Sequence, residues 1–264
     1  MSATESAYMG KSLCAIFTGA LIIGLLIAAS TVDWYKNEEV FDFRIPSSAD
    51  LPDGKDSLIN STKTFYDLQG FKVETKGIDL SFSLRTETLR TTFETYDEDS
   101  KVFEIMKVVQ AFVLVSLLST LVCTTILCAF LFERIRLKAL YALKNNTRLL
   151  VLIFAILAFI ASLIAFLSFL GIQDAFDEDI DVCDEGPCKR LVDHIETSSK
   201  IPTPENADTT ETEVTQFHTR DWRPVAGWYL TLATIPLALV LIVVILINQF
   251  PMPLNSDSSS GEAL

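Results

Sequence analysis

Cys183 and Cys188 stand five positions apart in "DVCDEGPCKR", residues 181–190, a run crowded with carboxylates. Two cysteines so placed can hold a metal, act as a redox pair or close a small covalent ring. A structural zinc site needs four ligands. The surrounding segment adds only His194 and His218, at no recognised zinc spacing. A reactive thiolate needs a positive environment, and Asp181, Asp184 and Glu185 supply the opposite. A disulfide is the default if the segment faces an oxidising compartment. Gly186-Pro187 provides the tight turn between the cysteines. Closing so small a ring contributes about 2 kcal/mol by loop entropy.

The neighbouring Asp177, Asp179 and Asp181 alternate as in the first half of a calcium-binding EF-hand loop. Val182 then stands where that loop needs Gly, and Cys188 where it needs a bidentate Glu. A solvated acidic loop is the better reading. No phosphate-binding Gly-rich loop, nucleophile elbow or His-rich cluster occurs in the chain. The sequence therefore predicts no enzyme, no catalytic residues, no metal and no cofactor.

These side chains must be positioned by a chain of 264 residues that is half hydrophobic yet carries a net charge of -13. The two properties are segregated. Leu13–Val32, Val108–Phe132, Leu149–Gly171 and Ala226–Ile247 contain no Asp, Glu, Lys, Arg or His. Each reaches the roughly 20 residues that a helix needs to cross a bilayer core. Lys11 and Ala28-Ala29-Ser30 give the first stretch some likeness to a signal peptide, but its apolar run is long for one. An integral membrane α-helical fold follows, a four-helix bundle with long acidic segments outside it.

The connector between the second and third spans holds Arg134, Arg136, Lys138, Lys144 and Arg148 against one acid, Glu133. By the positive-inside rule it is cytoplasmic, and so are both termini. Arg220 and Arg223, at the outer end of the fourth span, run against the rule. The expected organisation is a cytoplasmic N-terminus 1–12, span 13–32, outer loop 33–107, span 108–132, cytoplasmic loop 133–148, span 149–171, outer loop 172–225, span 226–247 and tail 248–264. The outer loops carry most of the acid: sixteen Asp/Glu against ten Lys/Arg in 33–107, and fourteen against five in 172–225. This is no footprint for nucleic acid. Asn60-Ser61-Thr62 becomes a glycosylation site in the first loop, whereas Asn145-Asn146-Thr147 stays silent inside.

The first loop changes period. Ile78, Leu80, Phe82 and Leu84 alternate strictly, Phe41, Phe43 and Ile45 do the same, and Phe71/Val73 and Leu89/Thr91/Phe93 continue the pattern. Period two predicts a small extracellular antiparallel β-sheet of four or five strands, one face apolar, with Gly70 and Gly77 in turns. Residues 196–216, rich in Thr, Ser, Glu and Pro, predict a mobile segment. Trp34, Trp222, Trp228 and Tyr229, at the outer ends of the first and last spans, predict an interfacial aromatic belt.

Two patterns remain in the spans. Ser116, Ser119, Thr120, Cys123 and Thr124 form a hydroxyl-rich stripe on the second. Ala20/Gly24/Ala28 on the first, and Ala158/Ser162 and Ala161/Ala165 on the third, have the spacing that lets helices approach closely. Packing inside one bundle is the plain expectation for both, with Pro236 kinking the fourth span.

Four spans, cytoplasmic termini, a larger strand-rich first outer loop and Trp34 just after the first span resemble the claudin-type architecture. The family's Gly-Leu-Trp and paired first-loop cysteines are absent, so its functional residues do not carry over. The function expected is that of a structural, adhesion or auxiliary subunit of a membrane complex, acting through its outer loops. A pore assembled around the hydroxyl stripe is the alternative. The expected partners are the bilayer and membrane proteins or a second copy, met through the first loop, at the plasma membrane. The tail adds Ser259 with Glu262 as a phosphorylation pattern and a C-terminal Glu262-Ala263-Leu264 as a weak carboxylate ligand for a PDZ-type domain.

Overall fold

The computed structural model describes residues 3–44, 57–79, 86–95, 99–136, 144–179, 191–201 and 214–247. Cys183, Cys188, the run around them and the C-terminal tail lie outside these residues. Helix α1 covers Ala3–Thr31, α2 Lys101–Arg136, α3 Lys144–Leu170 and α5 Ala226–Ile247, with a short α4 at Ile172–Asp179. The four long helices are long and apolar enough to cross a membrane. They extend the expected spans: α1 begins ten residues earlier, and α2 takes in 101–107, which were expected in the outer loop. The sequon at Asn145 falls in the first turn of α3.

The helices pack in a ring, α1 on α2, α2 on α3, α3 on α5 and α5 on α1. Their buried stripes follow helical spacing. Ala15, Ile22, Leu26 and Ala29 of α1 meet Val109, Val113 and Cys123 of α2, Val151, Ala155 and Ala165 of α3, and Ala238, Leu241 and Ile245 of α5 in one core. The residues between face outward, Phe17, Leu118, Ile160 and Leu239 among them. α3 stops at Leu170, where Gly171 donates to the Ser168 carbonyl, and α4 restarts from the Gly171 carbonyl. Asp179, the last residue of α4, reaches the N-terminus of α2. Its carboxylate accepts from Ser100 Oγ (2.6 Å), Lys101 N (2.7 Å) and Val102 N (2.9 Å). This satisfies amides that the helix itself leaves unpaired. Asp177 and Asp179, read from the sequence as part of a solvated acidic loop, sit on helix α4, and Asp179 caps α2.

Outside the helices stands one antiparallel sheet of six strands, not four or five. The strands are β1 Tyr35–Arg44, β2 Ser57–Tyr66, β3 Gly70–Asp79, β4 Thr86–Thr95, β5 Asp193–Ile201 and β6 Val214–Pro224, in the spatial order β4-β3-β2-β1-β6-β5. The first outer segment supplies four strands and the second supplies two. β6 pairs with β1 along ten residues, from Tyr35↔Pro224 to Arg44↔Thr215. The expectation of a mobile 196–216 is thereby corrected at both its ends. Strands of Thr, Ser and charged residues need no core of their own when β1 satisfies their backbone groups.

Other strand expectations shift in detail. The alternating run at 78–86 straddles the end of β3 and the start of β4, with 80–85 outside the described residues. Gly77 lies within β3, opposite Thr88. The turn comes earlier, where the Asp67 carboxylate accepts from the amides of Gln69 (2.6 Å) and Gly70 (2.7 Å). The Asn60 sequon sits in β2, opposite Phe41.

Candidate functional site

The sheet is rooted on the helix ends by aromatic residues from four strands and two helices. Along β1 and β6, side chains alternate between faces. Tyr35, Tyr66, Phe71 and Trp222 fall on the face that meets the helices. The Tyr35 ring lies 5.6 Å from Phe176 and 6.3 Å from Phe169, and Tyr66 lies 5.3 Å from Phe176. The Tyr35 hydroxyl donates to the Leu191 carbonyl (3.3 Å), tying the second outer segment to the first. Leu68, at the tip of the β2–β3 hairpin, joins the same core. Burial pushes the Tyr66 hydroxyl up to about 12 and raises that of Tyr35, so both remain neutral.

Trp34 and Trp222 belong to this root and not to a lipid-facing belt. Both are buried. The Trp34 indole N–H donates to the Ala29 carbonyl (2.7 Å), its amide to the Tyr66 carbonyl (2.7 Å), and its carbonyl accepts from Val225 (3.0 Å). One residue thus fastens α1, β2 and the start of α5. Its ring lies so close to α5 that a Cβ on Gly227 would stand 2.5 Å from Trp34 Cδ1. Of the other two aromatic residues, Trp228 is half-buried and stacked on Phe166 at 4.9 Å, and Tyr229 is exposed.

The rest of the sheet is held by polar stitching. On the root face, farther from the helices, Glu39 Oε1 lies 2.7 Å from His218 Nε2 and accepts from Arg220 Nε (3.0 Å), while Phe41 stacks on His218 at 4.3 Å. β1 and β6 are thereby bound by side chains as well as by their ladder. On the opposite face, Glu38 pairs with Lys36 and with Lys63 at 2.8 Å, and Lys72 pairs with Glu74. Lys72 also lies 5.8 Å from the Phe65 ring and 5.9 Å from the Phe93 ring. Burial raises the Glu38 carboxyl, but the hydrogen bonds from Lys36 and Lys63 outweigh it and hold the group below its ordinary value.

The apolar pattern of the last strand does not lead inward. Leu89 and Phe93 of β4 are 71% and 78% exposed, on the face away from the helices. An apolar face of the sheet would be expected to pack on the second outer segment or on the helix ends, and these two side chains do neither among the described residues. They give the sheet an outer edge with large apolar side chains.

The hydroxyl stripe of α2 is buried within the bundle. Ser116 Oγ reaches the Ala158 carbonyl (3.0 Å) and Ser162 Oγ (2.7 Å) of α3, and Thr120 Oγ1 donates to the Ser116 carbonyl (2.8 Å). The Thr124 hydroxyl, with no hydrogen-bond partner, lies against Gly19 of α1, where a Cβ would overlap it. The small residues of α3, Ala158, Ala161, Ser162 and Ala165, are buried as expected. Those of α1 are not: Ala20 and Gly24 face outward and Ala28 is half-buried, because the inward side of α1 is taken by Ser12, Ala15, Thr18, Gly19 and Ile22.

Of the cysteines described, Cys14, Cys123 and Cys128 are free thiols on the long helices. His194 and His218, the two further candidates for a zinc site, lie on different strands, paired with Glu196 and Glu39. Among the described residues no group of three or more His, Cys, Asp or Glu is placed to hold a metal ion. No protein-family model matches the chain, and no curated protein matches it, so the likeness to claudin-type proteins extends as far as four helices able to cross a membrane.

Proposed function

We propose that this is a non-enzymatic membrane protein, an adhesion, organising or auxiliary subunit whose six-stranded sheet recognises its partners. The observation that carries the reading is the sheet itself. It joins both outer segments into one ordered body, is rooted by Trp34, Tyr35 and Trp222, and presents Leu89 and Phe93 to solvent. An ordered module whose edge strands have no further strand beside them among the described residues is suited to binding another chain by strand addition. The four apolar stretches 13–32, 108–132, 149–171 and 226–247 hold no Asp, Glu, Lys, Arg or His of the kind that proton relays and ion-coupled transport use. Ser116 bonds to α3, Thr120 bonds to its own helix and Thr124 packs on Gly19 of α1, which favours a packing role for the α2 hydroxyls over the lining of a pore.

In this reading the four helices span the plasma membrane, both termini are cytoplasmic and the sheet is outside. Asn60 then carries a glycan and Asn145 does not, and Cys183 is joined to Cys188. Endoglycosidase treatment of the Asn60→Gln and Asn145→Gln variants tests the orientation; a mobility shift that depends on Asn145 inverts it. The function is tested by native purification in mild detergent. Replacing residues 38–97 with a flexible linker, in a variant shown to reach its membrane, should abolish partner recovery. Full retention of partners would move recognition to the helices.

A further inference from the structure

The sheet ends in β4 on one side and β5 on the other, and among the described residues neither has a strand on its outer side. The two edges run in opposite directions. β4 ends at Thr95, six residues before α2, so it runs toward the helices. β5 begins opposite Trp222, near the point where β6 enters α5, and so runs away from them.

The edges also match in height and face. Register leads from Asp193 to Trp222, then to Asn37, Thr64, Val73 and Thr92. Asp193 on one edge is therefore level with Thr92 on the other. Continuing along the strands sets Leu89 level with Glu196, and Phe93 level with Val192, which lies one residue before β5. Because the pleat alternates, the members of each pair share a face. Phe93 and Val192 are 78% and 58% exposed. Each edge thus leaves an apolar side chain in the same row, on the same side of the sheet.

Copies anchored in one bilayer share one orientation and differ by rotation about the membrane normal. Two β4 edges brought together in this way would run parallel, and so would two β5 edges. β4 against β5 runs antiparallel, the pairing used at all five junctions within the sheet. β4 is ten residues long with neither Lys nor Pro; its charges are Glu87, Arg90 and Glu94, and β5 carries one Lys, Lys200, one residue before its end.

We infer that the partner of the sheet is a second copy of this chain: β4 of one protomer pairs with β5 of its neighbour, head to tail in the same membrane, with Phe93 packed on the neighbour's Val192. Each protomer keeps one free edge of each kind, so the contact propagates into rows or closes into rings. This inference rests on the sheet being the recognition element.

The test uses full-length protein in native membranes, with Leu89→Cys on one tagged copy and Glu196→Cys on another. Directly opposed strand residues lie within reach of a disulfide. Mild oxidation should link the two tags, should link neither variant to itself beyond the background of unsubstituted protein, and should give a ladder of species when both cysteines are on one chain. Adding Phe93→Glu should remove the ladder; because Phe93 is exposed and stands opposite Lys72, the fold is retained. Self-linking of the Leu89→Cys variant would overturn the head-to-tail pairing in favour of a two-fold contact. Absence of every link, with partners still lost on replacing residues 38–97, would overturn the second copy as partner and leave the recognition reading standing. Absence of links with partners retained would remove both.

Discussion

The two faces of α1 carry the same kind of residue to different ends. On the inward face, Gly19 admits the Thr124 side chain so closely that a methyl group would displace it. On the outward face, Gly24 meets nothing within 4 Å, and Ala20 beside it is exposed. Small residues at four-residue intervals therefore report that a helix can be approached closely. They do not report which neighbour approaches. In α3 the same spacing is filled from within, by Ser116 against Ala158 and Ser162.

The comparison is broken most forcefully at the top of the inward face, where Trp34 holds the Ala29 carbonyl. Trp34→Ala should cost about 3–5 kcal/mol by opening a cavity in a packed site. Phe17→Ala, on the exposed outward face, should stay within about 0.5 kcal/mol. Equilibrium unfolding in detergent measures both, and equal losses would deny the difference between the faces.

Gly19→Ala should cost about 1–3 kcal/mol by overpacking, and Gly24→Ala should leave bundle stability unchanged or slightly raised by helix propensity. Truncating the obstacle in Gly19→Ala/Thr124→Ala should recover part of the loss, which a double-mutant cycle reads directly. Additive losses would place the strain elsewhere. A smaller effect is expected at Ser162→Ala, about 0.6 kcal/mol, because Ser116 keeps its bond to the Ala158 carbonyl.

The smallest effects concern pH and separate the root of the sheet from its stitching. The Glu38 carboxyl is lowered from its ordinary 4.5 by Lys36 and Lys63 against the effect of burial, so its contribution is present above that value and lost as pH falls through the lowered one. Asp33 is raised from 3.8, by burial first and Asp67 second. Its contribution is present below 3.8 and lost as pH rises through the raised value. Glu38→Gln should flatten the acid side of a melting-temperature profile. Asp33→Asn should remove the decline on the other side, and an unchanged profile in both would contradict these assignments.

The helices were legible because hydrocarbon tolerates no charge, and four uninterrupted apolar runs have few other uses. β1 was legible from Phe41 and Phe43, and the root of β3 from Phe71. β5 and β6 were not, because they gain their order from pairing with β1 and the stitching of Glu39 to His218 and Arg220, neither of which leaves an apolar period. Trp34 and Trp222 fit an interfacial belt by position along the chain. Only the sheet closing over the helix ends reveals that they are enclosed. Leu89 and Phe93 carry the period of a buried strand, yet lie on an edge that no layer among the described residues covers.

The central claim is that partners meet the sheet and not the helices. A photo-crosslinking residue placed at Thr91 on β4, at Ser198 on β5, and at Gly24 and Leu118 on outward helix faces tests it in the intact membrane. All four positions are exposed. Protein adducts should form from Thr91 and Ser198 and not from Gly24 or Leu118. Adducts confined to Gly24 or Leu118 would contradict the account and make a helix face the recognition surface.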